Sequence, residues 1–361
     1  MSWPDWIPLR NSLQSMSAYG APQVPARAVL NTNENPYPPS PELQAQITQA
    51  ISQIVGTLNR YPDRDALILR SALADYINER SQTNFGADNI WAANGSNEII
   101  QSLFLAFGSG VALGFMPSYS MHALISNVTG ATWINGERNP DFTFNSEIAL
   151  AQVKKIKPTL TFITTPNNPT GDAVPLSEIE TLARAVAAHG GLLVVDEAYA
   201  EFSPEESAVS LIKALPHVVV IRTMSKAFAF AGARVGYLVA DSHIVNAMML
   251  VRLPYHLSAI TQAAAKVALD FRTELLGNVS QLVAARQKLV KALNDLGLAT
   301  VPSAANFVLF TGFKATSPQL WSALLEKGVL IRDVGLSSYL RVTVGNEAEN
   351  KAFIEALTEL L

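Results

Sequence analysis

The chain has 361 residues, 49% hydrophobic and 16% charged, with a formal net charge of −4 and no cysteine. That length holds two domains, or one large α/β domain with an appendage, around a sizeable core, and the lean charged surface suits a chain that buries surface in an oligomer. With no long basic run there is nothing to draw nucleic acid or an anionic membrane, and without cysteine there is no disulfide, thiolate metal site or cysteine nucleophile.

The opening MSWPDWIPLR carries neither a basic nor an apolar signal-peptide region, so a cytoplasmic location is expected. Residues 1–30 are rich in Pro, Ser and Ala, show little periodicity and read as an extended arm. Asn31 to Pro39, NTNENPYPP, is a polar turn-rich segment that cannot continue a helix. Leu43, Ile47, Ile51 and Ile54, then Leu69, Leu73, Tyr76 and Ile77, recur at helical spacing and predict two helices, joined through Arg60-Tyr61-Pro62-Asp63.

From Ile90 the pattern changes to short apolar runs alternating with helices. A helix through Leu103 and Phe107 follows Asn94-Gly95-Ser96, with Asn94 or Ser96 as candidate N-cap. Strands are expected at Val111–Phe115, Ala131–Ile134, Leu160–Thr164, Leu192–Val195, Val218–Ile221 and Val235–Val239, and Ser177 to Glu180 has capping-box spacing. Ile99 to Gly136 contains no Asp, Glu, Lys or Arg, but its glycines and Pro117 interrupt any run long enough to span a bilayer, so it reads as buried core. Apolar runs alternating with helices imply parallel strands covered on both faces. After Asp241 come a long helical region, Ile260 to Leu296, and a short αβ set with strands at Phe307–Phe310, Val329–Ile331 and Leu340–Val344 and a closing helix from Glu347. The expected division is an arm over 1–30, a large domain over 31–250, and a connecting helix with a small domain over 251–361.

In open parallel sheets ligands bind beyond the carboxyl ends of the strands. Leu160–Thr164 runs into Pro166-Asn167-Asn168-Pro169-Thr170-Gly171, a double-proline loop able to fix an asparagine amide. Leu192–Val195 runs into Asp196-Glu197-Ala198-Tyr199, and Val218–Ile221 into Thr223, Ser225 and Lys226. A lysine at a strand mouth beside Arg234 is favoured in its neutral, nucleophilic form, and Ser225 with Arg234 offers a hydroxyl and a cationic fork to a phosphate. The Gly95-Ser96-Asn97 helix start adds backbone N–H groups for an anion. Each feature also has a structural reading: Asn-Pro-Thr-Gly is a good turn, Asp after a strand is a common N-cap, and Gly-Ser-Asn is ordinary capping. The five histidines show no metal spacing and read as structural or surface residues, and Gly108-Ser109-Gly110 lacks the third glycine of a dinucleotide fingerprint.

The order of the motifs is more informative than any one of them. NENPYPPS, RYPD, NGSNE, PSY, PNNPTG, DEAY, SKAFAFAGARVG and LRVTVGNEAEN span essentially the whole chain. In this order they resemble the fold-type I pyridoxal phosphate enzymes, specifically the class II aminotransferases, and within these, on weaker peripheral motifs, the histidinol-phosphate branch. The resemblance implies a mostly parallel α/β sheet in the large domain with helices on both faces, and pyridoxal 5'-phosphate as cofactor. It implies that Lys226 forms the Schiff base and shuttles the α-proton, that Asp196 pairs with the pyridinium nitrogen, and that Tyr199 and Asn168 hydrogen-bond the phenolic oxygen. Tyr119 would stack on the ring. Ser96, Asn97, Ser225, Arg234 and Thr223 would hold the phosphate, joined by Tyr61 from a neighbouring subunit, so that the site is completed in a homodimer. Arg341 would clamp the substrate α-carboxylate and Arg332 meet the substrate phosphate, with Tyr19 and Tyr255 lining the side-chain pocket. Asn97 stands where many relatives carry Asp, which leaves the backbone donors untouched. The implied reaction exchanges an amino group between L-histidinol phosphate and 2-oxoglutarate in histidine biosynthesis, without metal. Rival readings are an aromatic amino acid aminotransferase of the same branch, a relative of threonine-phosphate decarboxylase, and a non-catalytic cofactor-binding regulator, for which the chain leaves no room for a second module.

Overall fold

The structure, a computed structural model, describes residues 3, 4 and 6–361. Its strands, in chain order, are β1 (Ala28–Val29), β2 (Ile90–Ala93), β3 (Val111–Met116), β4 (Thr132–Glu137), β5 (Leu160–Thr164), β6 (Leu192–Asp196), β7 (Val218–Thr223), β8 (Gly236–Val239), β9 (Ala299–Thr300), β10 (Phe307–Thr311), β11 (Val329–Leu330) and β12 (Leu340–Thr343). Seven of them form one sheet in the order β2-β8-β7-β6-β5-β3-β4.

Each of β3, β5, β6 and β7 pairs in parallel with its neighbours on that side of the sheet, as buried apolar runs separated by helices require. The run near Val235 departs from that expectation. No α-helix intervenes between β7 and β8, so the chain returns directly and β8 pairs antiparallel to β7, and β2 antiparallel to β8 in turn. The two reversals leave β2 pointing the same way as β7. The strand Ile90–Ala93 lies outside the expected set, because four buried residues ahead of a glycine give no alternation to read.

Alternate residues of the strands serve two cores. Val194, Val219, Ile221 and Leu238 pack under the helices Ser96–Phe107 and Ser242–Val251, while Leu193, Val195, Val218 and Val220 face the cluster that includes Leu73, Ile179 and Leu282. That period of two is the geometry of a strand covered on both faces.

The Asn11–Gln14 helix is the one α-helix of the described arm, and the arm's end is not free: β1 pairs in parallel with β11 of the C-terminal region. There β9, β10 and β12 form a small antiparallel sheet. The long helical region is two helices, Ala259–Asp270 and Arg272–Asp295, broken at Phe271.

Two expected caps are formed differently. The helix Leu176–Ala187 begins after Pro175, which places Ser177 inside the first turn, so the Ser177–Glu180 capping box does not form. At the helix Ser96–Phe107 the N-cap is Gly95, at φ +81, and neither Asn94 nor Ser96 holds that position. The Asn94 amide instead donates to Glu98 Oε2 and to the carbonyl of His256.

Candidate active site

Because β2, β3, β5, β6 and β7 run the same way, their carboxyl ends open on one edge of the sheet, and a cavity of about 590 Å³ lies there. Its wall includes Ser96 and Asn97 after β2, Tyr119 after β3, Asn168 after β5, Asp196 and Tyr199 at the end of β6, and Thr223, Ser225 and Lys226 at the end of β7. Arg234, Arg332, Arg341 and Tyr19 complete it, so thirteen of the fifteen candidate residues share one cavity.

Tyr61 and Tyr255 are the two outside it. They stack on each other with ring centroids 4.4 Å apart, exposed by 80% and 40%. The Arg252 guanidinium braces their two loops by bonding the carbonyl of Arg64 at 2.7 Å and Asp65 Oδ1 at 2.6 Å.

Lys226 Nζ donates to the carbonyl of Thr32 at 2.8 Å. Burial, reinforced by the nearby Arg341 and Arg234 and partly opposed by Glu34, lowers its pKa to about 8. Asp196 is buried at the end of β6, where His122 Nε2–H donates to its Oδ2 at 3.0 Å and the backbone N–H of Ala198 to its Oδ1. Two donors fix the orientation of this carboxylate, which lines the cavity. His122, expected to be structural or surface, is thus the fixed partner of Asp196, wedged between Tyr119, Trp133 and Phe162.

The Tyr199 hydroxyl accepts from Asn33 Nδ2 at 2.9 Å and from Asn168 Nδ2 at 3.4 Å, and burial raises its pKa. Arg341 stands over the Phe307 ring and donates through Nη1 to Asn168 Oδ1 at 2.5 Å and through Nη2 to the Asn31 carbonyl at 2.7 Å. Its Nε is buried without a partner among the described residues, and burial followed by Arg332 lowers its pKa to about 10. Arg332 is its backbone partner: the two exchange N–H···O bonds of 2.9 Å each way, and the Arg332 guanidinium lies 6.0 Å over the Tyr19 ring.

At the start of the Ser96–Phe107 helix the backbone is open. A Cβ on Gly95 would stand 2.6 Å from Arg234 Nη2, and one on Gly236 would stand 2.5 Å from Ser96 N. Glycine at both positions lets a guanidinium, a strand and a helix start meet. Thr223 Oγ1 donates to Ser225 Oγ at 3.0 Å, and Arg234 Nη1 reaches the same oxygen at 3.5 Å. Free helix N–H groups, a hydroxyl pair and a guanidinium are the donor set of a phosphate cup. A buried carboxylate, a lysine with lowered pKa and a flanking tyrosine then lie deeper in the cavity, so the residues present fit pyridoxal phosphate from end to end.

Sequence reasoning missed the first wall of the cavity. Asn31, Thr32 and Asn33 read only as a turn, yet they supply the carbonyls for Arg341 and Lys226 and the amide for Tyr199. Asn33 takes a left-handed φ of +56 and is held by Thr343, with bonds of 3.0 and 3.1 Å. The signal was three amide side chains within five residues.

The family model for class I and II aminotransferases matches residues 28–357. A histidinol-phosphate aminotransferase of Mycolicibacterium vanbaalenii is 49% identical over 356 residues, covering 98% of this chain and 95% of that protein. One from Corynebacterium glutamicum is also 49% identical, over 98% of this chain and 97% of its own length. Among solved structures, the histidinol-phosphate aminotransferase from Sinorhizobium meliloti in complex with pyridoxal-5'-phosphate superposes with a TM-score of 0.84 at 25% identity, covering 98% of this chain and 97% of that one.

Proposed function

The chain belongs to the class I and II aminotransferase family, and on that premise we propose that it exchanges an amino group between L-histidinol phosphate and 2-oxoglutarate, using pyridoxal 5'-phosphate, in histidine biosynthesis. The observation that carries the substrate assignment is the paired Arg332 and Arg341 on one wall, two cationic forks for a reaction whose partners bear a phosphate ester and an α-carboxylate.

The cofactor, when bound, supplies a pyridine ring that accepts the electron pair left on the substrate's α-carbon as its proton departs. Ser96 and Asn97 N–H groups, Ser225, Thr223 and Arg234 would hold its phosphate, and Tyr119 would pack on its ring. Asp196, oriented by His122, would pair with the ring nitrogen. Tyr199 and Asn168 donate to its phenolic oxygen. Lys226 is partly neutral near physiological pH because its pKa is lowered to about 8. Its Nζ would therefore be able to act as a nucleophile toward a carbonyl carbon and as the base for the proton on the substrate's α-carbon. Arg341 binds the α-carboxylate of the oxo-acid partner, Arg332 binds the phosphate ester, and Tyr19 lines the side-chain pocket.

The same proposal includes a homodimer in the cytoplasm. Tyr61 and Tyr255 lie outside their own cavity, and the chain leading to Tyr255 exposes Leu250, at the end of the helix Ser242–Val251, by 86% and Leu253, just beyond it, by 74%. A second copy would cover this apolar surface and receive Tyr61 at its phosphate cup and Tyr255 at its side-chain pocket. Mixing Lys226→Ala and Tyr61→Ala subunits would then restore activity, since one site of each mixed dimer is intact.

The deciding experiment is kcat/KM for L-histidinol phosphate against L-phenylalanine with 2-oxoglutarate as acceptor. A preference of several orders of magnitude for the phosphate ester is expected. Comparable values would replace this reading with that of a broader aromatic aminotransferase.

A further inference from the structure

We propose that the ion pair between the buried Arg138 and the half-buried Asp172 is a positioning device for Asn168, and through that amide for Arg341. The inference rests on the aminotransferase reading, and it assigns a task to two residues that touch neither the cavity wall nor the expected cofactor.

The loop that carries Asn168 closes on itself. Asn167 N–H donates to the Asp172 carbonyl at 2.6 Å, Gly171 N–H to the Asn167 carbonyl at 2.7 Å, and Asn167 Nδ2 to Thr170 Oγ1 at 2.8 Å. A closed loop of this kind moves as a body, so whatever fixes residue 172 also fixes residue 168. What fixes residue 172 is Arg138, just beyond β4, whose Nη1 donates to Asp172 Oδ2 at 2.8 Å. The same carboxylate oxygen accepts from the N–H of Phe144 at 3.2 Å, while Arg138 Nε donates to the Phe115 carbonyl at 3.2 Å. The Arg138 side chain is 1% exposed and that of Asp172 17%, so water offers the arginine no substitute partner and the carboxylate only a partial one.

The loop's other side bears on the small domain. Ala304 N–H donates to the Gly171 carbonyl at 2.8 Å, and a Cβ on Gly171, whose φ is +88, would stand 2.8 Å from Ser303 Cα. The asparagine therefore sits in a loop pinned to the large sheet by an ion pair and pressed by the segment leading into β10. Its Oδ1 meets the guanidinium of Arg341, which β12 of the small domain supplies, and its Nδ2 meets Tyr199 of the large one. Asn168 is the seat on which the substrate-binding arginine registers, and the Arg138–Asp172 pair sets the height of that seat.

The test uses the holoenzyme with Asp172→Asn, which keeps the side-chain volume and removes the charge. KM for 2-oxoglutarate should rise about tenfold, the size of one lost positioning hydrogen bond, with a smaller change in kcat. The pH midpoint of the bound cofactor's absorption band should shift as well, because Asn168 addresses the same oxygen as Tyr199. A role confined to holding the fold together would lower Tm and leave KM and the midpoint unchanged, and that result would overturn the proposal. Combining Asp172→Asn with Asn168→Ala decides further: no additional rise in KM is expected over Asn168→Ala alone, and independent, multiplying effects would refute the route through Asn168. If Asp172→Asn does not fold, Arg138→Lys, which retains the buried charge but loses the fork, is read by the same criteria. Failure of the underlying aminotransferase reading is separately visible, since the parent protein would then show no cofactor band and no amino transfer.

Discussion

Replacing Gly236 by alanine tests the phosphate cup at its tightest point. A Cβ there would lie 2.5 Å from both Gly95 C and Ser96 N, about 0.9 Å inside the 3.4 Å at which ordinary contact begins. Both atoms are backbone, so no side chain can rotate away. Gly236 itself is paired with Ala93 of β2 and Thr223 of β7, which leaves the helix start to move instead. Overpacking of this kind costs about 1–3 kcal/mol in stability. The displaced group is the N–H that we assign to the cofactor phosphate, a bond to an anion worth about 1.5–3 kcal/mol, and since about 1.4 kcal/mol is a tenfold change, cofactor affinity should fall roughly 10- to 100-fold. Titrating the apoprotein with pyridoxal phosphate and following quenching of its fluorescence measures this directly. Gly277→Ala is the control: the site lies inside the helix Arg272–Asp295 with nothing within 4 Å of the added Cβ, so it should leave affinity unchanged and stabilise by about 0.5–1 kcal/mol. Unaltered cofactor affinity in Gly236→Ala would refute the placement of the phosphate at this helix start.

Lys226 should leave a mark on apoprotein stability. Its folded pKa of about 8 lies below its ordinary 10.5, so between those values the unfolded chain binds the extra proton and stability rises with pH, whereas below about 8 both states are protonated and the contribution is lost. Urea melts of the wild type and Lys226→Met, compared across that window, should diverge, and parallel profiles would show that the lysine is not perturbed. His122→Phe keeps a ring among Tyr119, Trp133 and Phe162 but removes the donor to Asp196 Oδ2. Loss of a hydrogen bond to a buried charge, about 1.5–3 kcal/mol, should lower kcat by roughly 10- to 100-fold with little change in KM for 2-oxoglutarate, and an unchanged kcat would return His122 to a packing role. Arg332→Ala should raise KM for L-histidinol phosphate far more than for L-phenylalanine, and equal losses on the two substrates would remove Arg332 from phosphate recognition.

The strand-end residues were legible because their signals are local. Asp196, Thr223, Ser225 and Lys226 each follow a buried run within a few positions, and the side of the sheet on which a parallel strand ends is fixed by its connection. Asn168 belongs with them, because its loop is written in prolines and a glycine. What joins these ends into one cavity, however, is strand order, and the order β6-β5-β3 is set by packing across the sheet rather than by any neighbouring residue.

The residues that stayed hidden were those whose partners are far away in sequence. Asn33 reaches Tyr199 across 166 positions and Thr343 across 310, and Lys226 reaches Thr32 across 194. A turn-rich segment such as NTNEN announces that the chain will not be helical, but says nothing of what its carbonyls will meet. Here β1 settles the matter: its pairing with β11 carries the following residues across the cavity mouth, where Leu30 bonds both Leu330 and Thr343. Two backbone carbonyls then give Lys226 its acceptor and Arg341 a second one beside Asn168 Oδ1. A carbonyl is a neutral acceptor, and a carboxylate offered to Arg341 would be a charge-assisted one, roughly twice as strong. The contact with Asn31 thus keeps Arg341 oriented while leaving it able to exchange that partner for the substrate carboxylate that we propose it binds. An acidic side chain in place of the Asn31 carbonyl would hold the arginine more tightly and compete with the substrate for it.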